Sequence, residues 1–206
     1  MPDLKLTYFD MHGGRGEPIR LALALANIPF EDDRFPFSEW PEYQAAAPFR
    51  QVPTLKVDGR VMTQTNAICR YIGKMAGLYP QDAIEAARCD EVMDIIEDIL
   101  HKVRITFDIE DEDEKRLARE ALTDGPISLY LGNLEGMLAQ GGGTYFAGGE
   151  LSMADLKVFV WIRSLQSGIL DHVPANLVER VTPKLAEHCE RIGTHPGITA
   201  YYESFA

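Results

Sequence analysis

The chain has 206 residues, of which 32 are acidic and 20 basic, so its formal net charge is −12 at pH 7. This charge argues against a nucleic-acid partner, which normally needs a basic face. The apolar content of 46% is ordinary for a globular protein, and the length allows one large domain or two modest ones.

The cysteines, Cys69, Cys89 and Cys189, are widely separated and form no CxxC pair. We expect buried or incidental thiols, with no disulfide framework and no metal site. The chain opens with no basic-then-apolar leader, and it contains no run of about 18 apolar residues. A cytoplasmic protein without membrane association is therefore expected.

Strand-like and helix-like segments alternate before about residue 80. The predicted order is strand, helix, strand, hairpin and helix, over residues 4–9, 18–26, 30–35, 53–57 with 60–63, and 65–75. Asp58 and Gly59 join the hairpin strands, and this dipeptide is a strong hairpin-turn signal. Gly77 is a plausible C-cap for the helix that precedes it.

After residue 80 the apolar spacing is helical. A long amphipathic helix is predicted over 83–107, and the acidic run from Glu110 to Lys115 indicates a solvated helix end or loop. Further helices are predicted at about 116–124, 126–139, 153–167, 175–180 and 183–192. The pattern predicts an α/β domain over residues 1–78 and an all-α domain over residues 83–206.

The segment "KLTYFDMHGGRGEPIR" places Tyr8 near the end of the first strand, followed by glycines on both sides of Arg15. Glycines let the backbone turn sharply and approach a ligand closely. A phenol there can face a ligand, although strands also favour tyrosine for packing alone.

Two further features of this half have both an ordinary and a functional interpretation. Pro53 stands at the first residue of a strand, where a proline is tolerated and can be cis or trans. Gln64 and Thr65 begin a helix, so Thr65 can be a simple cap or part of an anion site at the helix start.

Taken together, "HGGRGEPIR", "EWPEYQ", "FRQVPTL" and "TQTNAICRYIG" resemble the glutathione-binding domain of cytosolic glutathione transferases. The pattern is most similar to the sigma class, which includes haematopoietic prostaglandin D synthase and the cephalopod enzymes. "GGTYFAGGELSMADL" resembles a helix start in the second domain of that family. The resemblance implies a thioredoxin-like domain followed by a helical bundle, in agreement with the periodicity.

The resemblance also implies the chemistry. Tyr8 would donate its hydroxyl hydrogen to the glutathione sulfur and stabilise the thiolate, while Arg15 would order the site. A thiol with a pKa near 8.5 is only a few per cent ionised at pH 7, and lowering that pKa by about two takes roughly 2.7 kcal/mol. One charge-assisted hydrogen bond nearly suffices. The loop containing His12 is one residue longer than the usual sigma form.

Further residues follow from the same resemblance. Trp40 and Gln44 would contact the glycyl end of glutathione, and Gln44 and Gln51 stand where many members have lysine. The remaining implied glutathione contacts are Val52, Pro53, Gln64, Thr65 and Asp98. Asp98 would reach the glutathione of a neighbouring subunit, which implies a homodimer; its alternative is a solvated helix face.

The electrophile would bind between the domains, at a pocket lined by Phe9, Met11, Gly14, Ile105 and Trp161. Trp161 is also a candidate core residue, and Asp155 in "SMAD" is assigned to folding through a helix cap.

The expected function is conjugation of glutathione to electrophiles, with peroxidase or isomerase activity as side reactions. No permanent cofactor is expected. The alternative is a non-catalytic ligand-binding or crystallin-like relative. A thiol–disulfide oxidoreductase is disfavoured because no cysteine follows the first strand.

Overall fold

The first strand, β1 (Leu4–Phe9), buries every second side chain. Leu4, Leu6 and Tyr8 are at most 6% exposed in the computed structural model, which describes residues 1–205. Because side chains alternate across a strand, all three lie on one face of the sheet. Tyr8 is thus held by the same packing that buries the two leucines.

The other strands are β2 (Glu31–Phe35), β3 (Thr54–Val57) and β4 (Arg60–Met62), in the sheet order β2-β1-β3-β4. β1 is parallel to β2 and antiparallel to β3, and β3 and β4 form the predicted hairpin. Asp58 and Gly59 both have positive φ, as a tight hairpin turn with a right-handed twist requires.

Four helices accompany this sheet: α1 (Glu17–Leu25), α2 (Trp40–Ala46), α3 (Thr65–Ala76) and α10 (Pro196–Glu203). The predictions of α1 and α3 are confirmed to within a residue or so at each end, and Gly77 caps α3 in the left-handed conformation. α2 and α10 were not predicted. Residues 1–79 and 196–205 together form the first unit, so the final helix groups with the sheet rather than with the helical domain to which the sequence assigned it.

The second unit spans residues 80–195. Its helices are α4 (Ala83–Ile105), α5 (Glu112–Leu122), α6 (Ser128–Gln140), α7 (Met153–Gln166), α8 (Leu177–Val181) and α9 (Pro183–Gly193). α7 is buried from Met153 through Ile162 and packs against α4 and α9. A helix buried on all sides is the central element of a bundle.

The acidic run after α4 is partly helical. Asp111 caps α5, and its carboxylate accepts a hydrogen bond of 2.8 Å from the Glu114 N–H. The acidic first turn of α5 also complements the positive end of the helix dipole. A π-helical turn, Thr123–Ile127, then joins α5 directly to α6.

Candidate active site

The hydroxyl of Tyr8 lies under the loop that joins β1 to α1. Its oxygen accepts a hydrogen bond of 3.0 Å from the main-chain N–H of Arg15. The accepted bond uses a lone pair of the oxygen and does not involve the hydroxyl proton. An amide that donates to this oxygen also polarises the O–H bond, which strengthens the bond the hydroxyl can give to an anion.

The two glycines that flank Arg15 are explained by the ring of Tyr8. A Cβ added to Gly14 would lie 2.5 Å from the Tyr8 hydroxyl oxygen, and one added to Gly16 would lie 2.5 Å from a ring carbon. Gly14 also has a φ of +63°, which favours glycine. The loop therefore reaches Tyr8 only because both side chains are absent.

Arg20 is a functional candidate that the sequence interpretation missed. Its side chain is fully buried, and its guanidinium carbon lies 5.8 Å from the centre of the Tyr8 ring. It donates to the carbonyl oxygen of Met11 at 3.0 Å and to that of Phe9 at 3.3 Å. A charged residue on the apolar face of α1 was the available signal.

Part of the expected glutathione cleft surrounds the same end of β1. β1 and β3 pair up to Thr7 and Thr54, and one further step places Tyr8 beside Pro53. The Val52–Pro53 peptide bond is cis. Pro53 is buried, Val52 is half-buried and the preceding Gln51 is exposed.

Helix α2 begins at Trp40, whose ring centre lies 5.3 Å from that of Phe9. Gln44 is half-buried on the same helix, one turn later. Aromatic contact thus joins the start of α2 to the residue that follows Tyr8, and it brings two of the expected glycyl-end residues to this end of the sheet.

The start of α3 has the geometry expected of an anion site. Gln64 precedes the helix with φ 72° and ψ 114°, an unusual conformation for a residue with a side chain. Thr65 is the first residue of the helix and is 7% exposed. The N–H groups of a first helical turn have no partners within the helix, so they can bind a carboxylate.

The other expected site residues belong to the second unit. Asp98 is exposed in the middle of α4, and Ile105 ends this helix with 70% of its surface exposed. Trp161 is 4% exposed and lies in the core around α7. In the first unit, Phe9 and Met11 are half-buried.

The cysteines are buried and form no disulfide. Burial raises the pKa of Cys89 to about 11 and that of Cys189 to about 12, so both thiols stay protonated at neutral pH. Within residues 1–205, no group of His, Cys, Asp and Glu side chains could hold a metal ion. In the same part of the chain, no helix is long and apolar enough to cross a membrane.

Two family models match the chain. The model described as "Glutathione S-transferase, N-terminal domain" matches residues 16–75, and the one described as "Glutathione S-transferase, C-terminal domain" matches residues 97–205. The chain is also 33% identical over 202 residues to "Glutathione S-transferase 1" of Ascaris suum. That alignment covers 96% of this chain and 94% of the relative.

Solved structures give the same result. The prostaglandin synthase D of Nilaparvata lugens superposes with a TM-score of 0.88, at 30% identity and with 98% of each chain covered. The sigma-class glutathione transferase of Fasciola hepatica gives 0.85 at 26% identity, covering 100% of this chain and 97% of that one. The monomeric Na-GST-3 of Necator americanus gives 0.80 at 27% identity, with 98% and 97% covered.

Proposed function

The chain belongs to the glutathione S-transferase family and is a transferase that uses glutathione as its co-substrate; on this premise we propose that the Tyr8 hydroxyl stabilises the glutathione thiolate. The hydrogen bond from the Arg15 N–H to the Tyr8 oxygen is the observation that carries this proposal. It fixes the phenol and polarises it for donation to sulfur. In this proposal the main contribution of Arg15 is its main-chain N–H, which donates to Tyr8, rather than its side chain.

The thiolate is held while its sulfur adds to an electrophilic carbon. A phenol has a pKa near 10, so it remains protonated at neutral pH and acts as a donor rather than a base. Its hydrogen bond is stronger to the ionised sulfur than to the neutral thiol, which lowers the thiol pKa. The thiolate, not the thiol, is the nucleophile.

The glutathione contacts are proposed for the first unit, within residues 1–78. The N–H groups at the start of α3, with Gln64 and Thr65, bind the γ-glutamyl carboxylate, and the backbone of Val52 pairs with the cysteinyl part. Trp40 and Gln44 contact the glycyl end, and Gln51 is a further proposed contact of glutathione. The net charge of −12 does not oppose this anion, because charges beyond about 8 Å are screened at physiological salt.

The proposed contacts of the electrophile are those that the resemblance implies, namely Phe9, Met11, Gly14 and Ile105. Trp161 is the remaining proposed residue of this set, with 4% of its surface exposed. A peroxidase or isomerase side activity stays a prediction. A cytoplasmic location is proposed because three buried thiols without a disulfide fit a reducing compartment.

A homodimer is part of the proposal. Asp98 is exposed on α4, and it gains a role when it reaches the glutathione amine of a partner subunit. The first unit has an open groove of about 610 Å³ along edge strand β4, lined by Val57, Asp58, Arg60, Val61, Met62 and Tyr71. Val61 is half exposed there, at the sheet edge where a partner can pack.

The test is Tyr8→Phe, which removes one oxygen and keeps the ring. Absorbance of the bound thiolate is titrated against pH, and conjugation is followed with an aryl halide. We expect the pKa of the bound thiol to rise and the neutral-pH rate to fall by roughly 10- to 100-fold, with nearly unchanged glutathione affinity. Raising the pH should restore part of the rate.

Tyr43→Phe is the matched control, since this tyrosine stacks on Phe35 in the same unit, with ring centres 3.8 Å apart. It should titrate like the wild type. If Tyr8→Phe binds glutathione and its titration curve coincides with that of the wild type, the Arg15 side chain or a main-chain donor stabilises the thiolate instead.

A further inference from the structure

A buried carboxylate lies at the end of the active-site loop, which joins β1 to α1. Glu17, the first residue of α1, has no exposed surface. One oxygen lies 3.5 Å from Nδ1 of His12 and the other 3.5 Å from a guanidinium nitrogen of Arg20. Neither oxygen accepts a hydrogen bond from any residue of the described chain. For folding alone this placement is costly, because a buried charge normally gains hydrogen bonds as well as a partner.

Arg20 connects Glu17 to the start of the active-site loop. The guanidinium that faces Glu17 also donates to the carbonyl oxygens of Phe9 and Met11, on either side of Asp10. Its Nε donates to Asp32 of strand β2 at 2.9 Å. Glu17 directly follows Gly16, at the end of the active-site loop. The Glu17–Arg20 ion pair therefore connects the end of this loop to its beginning.

The same network continues to the last helix of the chain. Asp32 accepts a hydrogen bond of 2.7 Å from Nε of Arg34. Arg34 in turn donates to the hydroxyl of Tyr201 on α10 at 3.4 Å, and its guanidinium carbon lies 4.9 Å from the ring centre of Phe205.

His12 connects Glu17 to the same C-terminal segment. The His12 ring packs against three aromatic rings of the C-terminal segment, with ring centres 6.4, 6.0 and 4.6 Å away, namely Tyr201, Tyr202 and Phe205. The negative charge of Glu17 contributes, after burial, to a raised pKa of the Tyr201 hydroxyl. Through His12, Glu17 is therefore connected to the C-terminal segment as well as to the loop.

We propose that Glu17 is a positioning residue for the thiolate chemistry: through Arg20 and His12 it couples the C-terminal helix to the loop that carries the Arg15 amide. This inference rests on the proposed role of Tyr8. The Arg15 N–H can polarise the Tyr8 hydroxyl only while both ends of the loop are fixed. Glu17 fixes one end directly and the other through Arg20.

The test is Glu17→Gln, which keeps the side-chain shape and removes the charge. We expect glutathione affinity within about twofold of the wild type, a raised pKa of the bound thiol, and a neutral-pH conjugation rate reduced about three- to tenfold. Glu31→Gln is the matched control, because Glu31 is an exposed carboxylate of the same unit that pairs with Lys5. It should leave the thiol titration unchanged.

Tyr201→Phe tests the connection to α10, and it decides the question if Glu17→Gln does not fold. It should shift the thiol titration in the same direction by a smaller amount. If Glu17→Gln loses thermal stability but titrates the bound thiol like the wild type, Glu17 is only structural and the proposal is wrong. The same holds if Glu17→Gln does not fold and Tyr201→Phe leaves the titration unchanged.

Different results would contradict the proposed role of Tyr8 and the proposed role of Glu17. If the wild-type protein conjugates glutathione and Tyr8→Phe leaves the thiol pKa unchanged, the proposed role of Tyr8 fails. If Tyr8→Phe shifts that pKa and Glu17→Gln does not, only the coupling through Glu17 fails.

Discussion

Replacing Asp155 with alanine should lower the temperature at which the helical unit unfolds and should leave the glutathione chemistry unchanged. Asp155 stands in the first turn of α7 and has no exposed surface. Its carboxylate accepts hydrogen bonds from the N–H of Ser152 at 2.9 Å, the hydroxyl of Ser152 at 2.7 Å and the N–H of Phe146 at 3.1 Å. Nε2 of buried His188 lies 2.9 Å from it.

The cost follows from these contacts. Losing a helix cap costs about 0.5–2 kcal/mol, and each buried donor left without a partner costs about 1–3 kcal/mol. The penalties are not additive because the groups share one carboxylate, so we expect a loss of about 3–5 kcal/mol in the free energy of unfolding. For a chain of this size about 1 kcal/mol lowers Tm by 2–4 °C, which gives a decrease near 10 °C.

Calorimetry or circular dichroism measures this decrease, and calorimetric titration measures glutathione affinity below the transition. Asp113→Ala is the control, since Asp113 is an exposed first-turn aspartate of α5 whose side chain keeps 88% of its surface. It should lower Tm by at most about 2 °C. An Asp155→Ala variant with unchanged Tm and weakened glutathione binding would show that the residue belongs to the site.

Two further predictions concern the loop and the partner subunit. Gly14→Ala should reduce turnover at least tenfold because its Cβ would meet the Tyr8 hydroxyl, whereas Gly59→Ala, at a similar positive φ with nothing within 4 Å, should cost only backbone strain of about 1–2 kcal/mol. Sedimentation should show a dimer at micromolar concentration, and Asp98→Asn should weaken glutathione binding about three- to tenfold. Glu91→Gln, at another exposed carboxylate of α4, should leave that binding unchanged. A fully active monomer would contradict the proposed partner contact.

The sequence predicted the elements whose signals are local. The alternation of β1, the Asp58-Gly59 turn and the helical spacing after Thr65 each specify a structure within a few residues. α2 was missed because it runs for seven residues and begins with Trp40 and Pro41, which read as a loop. α10 was missed because its eight residues are held by packing against α1, a contact between segments about 180 residues apart in the chain.

The residues of the candidate site also differ in whether a local sequence signal could identify them. Tyr8 and its glycines were identified because a strand-end phenol and a glycine-rich loop are adjacent in sequence. The Arg15 N–H donor was not, since a backbone bond to a side chain seven residues away depends on the conformation of the loop. Glu17 and Arg20 lie three residues apart on α1, a spacing that also describes an ordinary solvated ion pair. Only their complete burial distinguishes the two cases.

Two buried carboxylates in this protein have opposite surroundings. Asp155 accepts three hydrogen bonds from protein donors and faces His188, whereas Glu17 accepts none within residues 1–205 and lies 3.5 Å from its two charged or chargeable neighbours. A carboxylate whose donors are all satisfied stabilises the fold, so its amide isostere should destabilise it. A carboxylate without donors costs desolvation energy, so its amide isostere should be nearly neutral for stability. Asp155→Asn should therefore lower Tm and leave the thiol titration unchanged, while Glu17→Gln should move the titration and keep Tm within a few degrees. This crossed result separates a charge that folds the helical unit from one that acts on Tyr8 through the loop.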